Sequence, residues 1–133
     1  MKLDILAFGA HPDDVELAAC GTLLHHKAKG LRVGIVDLTR GEKGTRGTAE
    51  DRDQESAESA KILQLDAREN LALPDVFFQI NEASKLRVVE AIRAYQPEII
   101  LAPAISDRHP DHSRAGKLIS ECFFISGLVK VET

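Results

Sequence analysis

Histidine, proline and aspartate stand together twice in this chain, as Ala-His-Pro-Asp-Asp at residues 10–14 and as His-Pro-Asp-His at residues 109–112. Composition predicts only about 0.014 copies of His-Pro-Asp, so two copies call for a reason. His11 and Asp14 are three residues apart, as are His109 and His112, and each pair can converge on one point across a turn. Two imidazoles and a carboxylate suit a catalytic zinc that keeps a position open for water and substrate. The same set resembles the facial triad of non-haem iron(II) enzymes, so residue type leaves the metal open between zinc and iron. Three of the four side chains suffice to hold an ion, and Asp13, beside Asp14, can serve as a base. A plainer reading makes Asp13, Asp14 and Asp111 the N-caps of the helices that follow them. That reading suits either motif alone better than it suits both at equivalent places.

Such convergence needs a scaffold that brings positions 98 residues apart to one edge. The run KLDILAFGA is too short for a helix and reads as a buried strand. From Val15 to Lys29 the apolar residues recur at helical spacing, and Gly30 supplies a stop. RVGIVDLT is a second strand, and the strand–helix–strand order favours parallel pairing with a right-handed crossover. The segment RGEKGTRGTAED, with Gly41, Gly44 and Gly47, is a loop leading to a helix that starts near Thr48, where Asp51 completes a capping box, and runs to about Leu65. ENLALPD is a third strand, residues 81–95 a third helix, EIILAPA a fourth strand, SRAGKLISECFF a fourth helix and LVKVE a fifth strand. The expected fold is therefore α/β, a three-layer sandwich with a Rossmann-like, mostly parallel sheet and helices on both faces. Ligands of open sheets of this kind bind beyond the carboxyl ends of the strands, where both His-Pro-Asp stretches fall.

Composition is consistent with that picture. At 133 residues the chain has room for one domain with a real core, and 44% hydrophobic with 29% charged residues is ordinary for a globular protein. Seventeen Lys and Arg against twenty-one Asp and Glu give a net charge of −4, which argues against a nucleic-acid surface. Cys20 and Cys122 fall on apolar helical stretches and read as core residues of a reducing, cytoplasmic compartment. Asp4 interrupts the first apolar run, which is not expected to be a signal peptide, and no stretch approaches the ~20 apolar residues of a membrane span. His25 and His26 lack partners at ligand spacing and read as solvent-facing or packing residues.

AHPDDVELAACGTLL and the later HPDH together resemble the LmbE-like, or PIG-L, family of zinc-dependent N-acetylglucosaminyl deacetylases. The resemblance continues through DRDQESAESAKILQL, where Arg52 and Glu55 match an Arg-x-x-Glu pattern, and through LALPD. It implies that His11, Asp14 and His112 bind zinc, that Asp13 is the general base, and that His109 is the acid or electrophile with Asp111 orienting it. The implied reaction frees acetate and an amino sugar. Family members usually continue well past the HPDH helix. Residues 1–133 are thus expected to form a single domain truncated at its C-terminal end, its missing wall supplied by further chain or by another copy in a homo-oligomer.

Within the family, RGEKGTRGT looks most like the loop of deacetylases acting on N-acetylglucosaminyl-malate in bacillithiol biosynthesis. Arg46 and Arg52 are then candidates for a malate carboxylate, with Thr45 as a polar contact and Arg108, beside His109, as another carboxylate partner. A surface pair with Glu55 is the competing account of Arg52. Two other functions compete: a deacetylase of another N-acyl substrate, such as a chito-oligosaccharide or an antibiotic intermediate, and a non-catalytic sugar- or nucleotide-binding module. Against the module, no G-x-G-x-x-G or G-x-x-x-x-G-K-[ST] follows any expected strand.

Overall fold

Apolar runs bounded by polar turns become strands wherever both of their faces can be covered, and the computed structural model, which describes residues 1–133, shows four of them. The order is β1 (Ile5–Gly9), α1 (Asp14–Ala28), β2 (Val33–Thr39), α2 (Ala49–Ile62), β3 (Ala67–Leu73), α3 (Glu82–Tyr95), β4 (Ile99–Leu101) and α4 (Pro110–Ile125). The sheet order is β3-β2-β1-β4, and every pair is parallel. Every residue of β1 and β2 is buried, as expected of strands covered on both faces.

Alternation along these strands divides the core in two. Leu6, Phe8, Val36 and Leu38 pack with Val88, Val89, Leu118 and Ile119 beneath α3 and α4. Ile5, Ala7, Val33 and Ile35 point the other way, to Val15, Leu23 and Leu63. The fold is thus the expected α/β sandwich with helices on both faces. The α1/α2 layer is the thinner one, since α2 buries none of its own residues and meets the core through its C-cap Leu63. Cys122 lies in the larger core, while Cys20 packs against the smaller one.

Chain direction through the sheet places the site. From β1 the chain moves outward through β2 to β3, then returns across the opposite face through α3 to place β4 on the other side of β1. The carboxyl ends of β1 and β4 therefore flank a topological switch point, the usual crevice for ligands in open parallel sheets. Residues 10–14 leave β1 there, and residues 103–112 leave β4.

The elements depart from expectation in three places. LVKVE is not a fifth strand: residues 126–133 form turns, and Val129 is 94% exposed. Arg93 explains this, since its guanidinium donates to the carbonyls of Ser126, Leu128 and Val131 at 3.1, 3.0 and 2.7 Å, gathering the segment against α3 rather than against a strand. β4 keeps only three residues of the expected run, because Pro103 cannot donate to a ladder. β3 begins earlier, at Ala67, where the Asp66 carboxylate accepts from the Val33 N–H at 2.8 Å. The capping box at Thr48 and Asp51 is present with both bonds, at 2.9 and 3.0 Å.

One buried position in β2 is charged. Asp37, 1% exposed, faces α1 and receives Arg68 Nε at 2.9 Å. Burial pushes its carboxyl up to about 7 against the opposing pull of Arg68. The folded chain then keeps a proton on Asp37 that the unfolded chain releases near 3.8, so this group's contribution to stability is full below that pH and is lost as pH rises through about 7. Urea unfolding of the parent and of Asp37→Asn at pH 4, 5.5 and 7.5 checks this. The parent is expected to lose stability relative to the variant across that interval, and a constant difference contradicts the assignment.

Candidate metal centre and active site

Geometry at the end of β1 is set before any titratable side chain is reached. Thr39, fully buried at the end of β2, donates its backbone N–H at 3.1 Å and its Oγ1 at 2.9 Å to the Ala10 carbonyl. His11 therefore starts from a fixed backbone. Its own N–H donates to Asp14 Oδ2 at 2.9 Å, closing the turn in which Pro12 is buried. On the other side of the switch point, Pro110 occupies the first turn of α4, where its missing N–H costs nothing, and the His109 Nδ1 caps the helix by accepting from the Asp111 N–H at 3.1 Å.

None of the three motif aspartates acts as a helix cap. Asp13 holds the N-cap position of α1, but its side chain makes no capping bond. Its backbone sits at φ 124°, a left-handed conformation that costs a non-glycine residue on the order of 1–3 kcal/mol. Asp14 turns back onto the His11 N–H. Asp111 lies inside α4, with its carboxylate turned toward His11 rather than the helix end.

His11 organises the cluster through both ring nitrogens. Its Nδ1 lies 3.5 Å from Asp14 Oδ2, and the same oxygen lies 3.3 Å from His112 Nε2. Donor atoms of His11, Asp14 and His112 all fall within 4.8 Å of one another. Ligands about 2.0–2.1 Å from a tetrahedral zinc stand about 3.3 Å apart, so these separations fit one divalent ion. The other nitrogen, Nε2, faces Asp111 Oδ2 at 2.7 Å and Asp75 Oδ1 at 3.1 Å. A carboxylate on the far nitrogen fixes the tautomer and leaves the near nitrogen free to ligate. His11, His109 and Asp111 form a second grouping of donor atoms. It fits an ion less well, because Asp111 is 1% exposed and already accepts from Val76 N–H at 3.2 Å and Arg114 Nη1 at 3.0 Å.

Charge follows from this crowding. Burial alone would lower the pKa of His11, but hydrogen bonds donated to Asp14 and Asp111 and the charges of Asp14 and Asp75 outweigh it and push the ring up to about 9. Three carboxylates around one imidazole call for a positive charge among them, which a proton or a metal cation supplies. Asp14 is held below the ordinary carboxylate range: burial opposes ionisation, and hydrogen bonds from His11 overcome it. Asp13 moves the opposite way, raised by burial and by the charge of Asp14 against the counter-pull of Arg52. The His109 ring stacks on that of His112, with centroids 4.7 Å apart and planes at 15°.

A polar cleft of about 330 Å³ opens over the cluster, and its lining includes His11, Asp13, Asp14, His109 and His112. Arg52 lines it too, and it pairs with the main chain rather than with Glu55. Its Nη1 reaches the Pro12 carbonyl at 3.4 Å, and its guanidinium packs over Gly41, where φ is +64° and a Cβ would lie 2.5 Å from Nη1. Thr45, Arg46 and Arg108, the other candidate substrate contacts, are exposed and lie outside the cleft lining. Asp111 meets His109 through its backbone N–H, whereas its carboxylate serves His11, which corrects the expected pairing. His25 is exposed in part and His26 is partly buried, both outside the cleft.

Sequence reasoning missed Asp75, Lys43 and Arg114. Asp75 is buried at the carboxyl end of β3 and accepts from the Lys43 N–H at 2.8 Å. Its signal was available, since a carboxylate directly after a strand-ending proline sits on the same sheet edge as the two motifs. Beside the polar cleft an apolar one of about 480 Å³ runs past Leu101, Ala102 and Pro103, and the two meet at Asp14, Leu17 and His112.

The chain resembles known proteins over most of its length. The family model described as PIG-L: GlcNAc-PI de-N-acetylase matches residues 6–123. The chain is 35% identical over 120 residues to the "Uncharacterized deacetylase YaiS" of Escherichia coli (strain K12), covering 81% of this chain and 61% of that one. The solved structure of a conserved protein from Thermus thermophilus superposes with a TM-score of 0.91 at 45% identity, covering 96% of this chain and 58% of that one. An N,N'-diacetylchitobiose deacetylase from Pyrococcus horikoshii superposes with a TM-score of 0.87 at 27% identity, covering 95% of this chain and 51% of that one. The chain thus spans between half and two-thirds of the length of each of these relatives.

The strain at Asp13 is directly measurable. Asp13→Gly removes the side chain that disfavours φ 124°, whereas Asp13→Ala keeps a Cβ there. Chemical denaturation is expected to find the glycine variant about 1 kcal/mol more stable than the alanine variant. Equal stabilities would mean that the backbone there is relaxed.

Proposed function

This chain belongs to the PIG-L, or LmbE-like, de-N-acetylase family, and we propose that its two His-Pro-Asp turns form the metal-dependent centre of an N-acetyl amino-sugar deacetylase. The observation that carries this reading is that Asp14 Oδ2 lies 3.5 Å from His11 Nδ1 and 3.3 Å from His112 Nε2, with donor atoms of all three residues within 4.8 Å of one another and the uncapped Asp13 carboxylate beside them. Those three residues would hold a zinc or iron(II) ion. When bound, the ion supplies Lewis-acid polarisation of the amide carbonyl and a lowered pKa for the attacking water.

The remaining steps belong to the chain. Asp13 accepts a proton from water as it adds to the acetyl carbonyl, and its raised pKa brings it nearer the range where a base works best at neutral pH. His109 accepts from the Asp111 N–H at Nδ1, which leaves its Nε2–H to stabilise the tetrahedral oxyanion by a hydrogen bond, and Asp13 returns the proton it took to the departing nitrogen. Breakage of the carbon–nitrogen bond then yields acetate and a free amine. Asp111 and Asp75 act behind the site by holding His11 from its far side.

The polar cleft supports a sugar conjugate as substrate. The substrates named for the family and for the P. horikoshii relative share an N-acetylglucosamine unit. Arg52 is the cleft's cationic fork, suited to a carboxylate on the aglycone. That feature favours N-acetylglucosaminyl-malate, the bacillithiol precursor, over N,N'-diacetylchitobiose, which carries no carboxylate.

Metal content of the purified protein, paired with release of free amine from a panel of N-acetylglucosamine conjugates, tests the proposal. Stoichiometric divalent metal and turnover are expected, with the malate conjugate preferred. Asp13→Asn should lower kcat by about 10²-fold or more with metal content unchanged, whereas His112→Ala should lose the metal. Protein that neither carries nor takes up a divalent metal sinks the reading, and Arg52→Ala that leaves KM for the malate conjugate unchanged removes the carboxylate assignment.

A further inference from the structure

The start of α1 presents a problem that the active site does not solve. Helices are usually held at their N-terminus by a capping side chain, most often Ser, Thr, Asp or Asn. Here the N-cap residue Asp13 makes no side-chain cap bond and sits in a strained conformation, while Asp14 is turned back onto the His11 N–H. Neither carboxylate at the helix start therefore caps it. Something else must keep the first turn in place.

Glu16, the third residue of α1, is in the position that commonly folds back in a capping box. It reaches outward instead. Its Oε2 accepts from Arg68 Nη1 on β3 at 3.0 Å and from Ser59 Oγ on α2 at 2.8 Å. Arg68 in turn grips Asp37 on β2, with Nε at 2.9 Å and Nη2 at 2.8 Å from the same oxygen. All three side chains are largely withdrawn from solvent, with exposures of 23% for Glu16, 11% for Arg68 and 1% for Asp37. A guanidinium bonded through Nη1 to one withdrawn acidic group and through Nε to another is among the stiffer polar links available to a protein. It runs from the sheet to the one turn of α1 whose position determines where Asp13 and Asp14 stand.

We infer that Arg68 and Glu16 are positioning residues, a buried strut that replaces the missing cap of α1 and so holds Asp13 and Asp14 in register with His11 and His112. The inference rests on the proposed metal centre, and it adds residues that touch neither substrate nor ion. Removing Arg68 would strand Asp37 and risk the fold, so the informative change is Glu16→Ala, which leaves the Arg68–Asp37 pair intact and cuts only the link to α1.

Two readouts decide it. In the metal-free protein, amide hydrogen exchange at Leu17, whose N–H donates to the Asp13 carbonyl at 2.9 Å, should quicken about tenfold in Glu16→Ala, while Ile92 in α3 stays as slow as in the parent. Calorimetric zinc titration should show a dissociation constant raised about tenfold. Glu16→Gln, which keeps an acceptor oxygen for Arg68, should restore most of both. A core change on the other face, Val89→Ala, should lower stability without moving the zinc affinity. If Leu17 exchange or zinc affinity is unchanged in Glu16→Ala, the strut assignment is wrong. If the parent itself takes up no zinc or iron, the metal centre fails instead, and the exchange data still judge the link.

Discussion

A 2.7 Å hydrogen bond between His11 Nε2 and Asp111 Oδ2 joins the two sides of the topological switch point, and the site depends on it. His11 belongs to the turn after β1, and Asp111 to the first turn of α4 after β4. These segments are 100 residues apart in sequence and are brought together only by parallel pairing of β1 with β4. The bond orients the ring so that Nδ1 faces Asp14 and His112. With the ring rotated, the same residues would still crowd together but would no longer present three donors to one point. Arg114 and the Val76 N–H complete the coordination of Asp111, so the fixed end of the bond is a carboxylate with no freedom to turn.

That arrangement is costly, and the fold carries the cost in specific places. Asp75 and Asp111 both approach one imidazole nitrogen, an excess of negative charge that holds His11 protonated well above its ordinary range. Asp13 accepts a backbone conformation that an N-cap residue normally avoids. Two apolar cores that bury β1 and β2 on both faces offset these local penalties, and the larger of them lies directly under α4, the helix that carries Asp111 and His112. Gly116 shows how close that fit is. A Cβ there would meet the carbonyl oxygens of Pro103 and Ala104, so α4 can lie against the end of β4 only without a side chain at that position.

Much of this was legible in the sequence because it follows from periodicity and local chemistry. The switch from buried runs to helical spacing located four strands and four helices, and Thr48 with Asp51 marked a helix start correctly to the residue. Two His-Pro-Asp words at strand ends were enough to bring His11, Asp14, His109 and His112 to one edge. What escaped depends on distant partners. LVKVE has the composition of a strand, but Arg93 on α3 takes its carbonyls. The family resemblance implied that Asp111 orients His109, but the helix geometry gives that contact to the backbone N–H, freeing the carboxylate for His11. Thr45, Arg46 and Arg108 had the right chemistry for a carboxylate ligand, yet nothing in their neighbourhood pulls them into the cleft, whereas the glycines at 41 and 44 make room for Arg52.

The adjacent pair Asp13 and Asp14 shows how one turn can give two like residues opposite properties. Asp14 folds back on His11, collects hydrogen bonds and a neighbouring His112, and is stabilised as a carboxylate despite its burial. Asp13 is denied those partners by the same turn, and burial together with the charge of Asp14 beside it raises its pKa. Neighbouring carboxyl groups are pushed apart in pKa by their environments, and here the difference comes from backbone direction rather than from residue type. Asp13 combines a positive φ with the absence of a cap bond, so the strain and the missing cap fall on one residue. A helix that uses its N-cap in this way has to be held from further along. Glu16 is the first residue of α1 that reaches back to the sheet through a charged group, and the second strand supplies its anchor at Asp37 by way of Arg68.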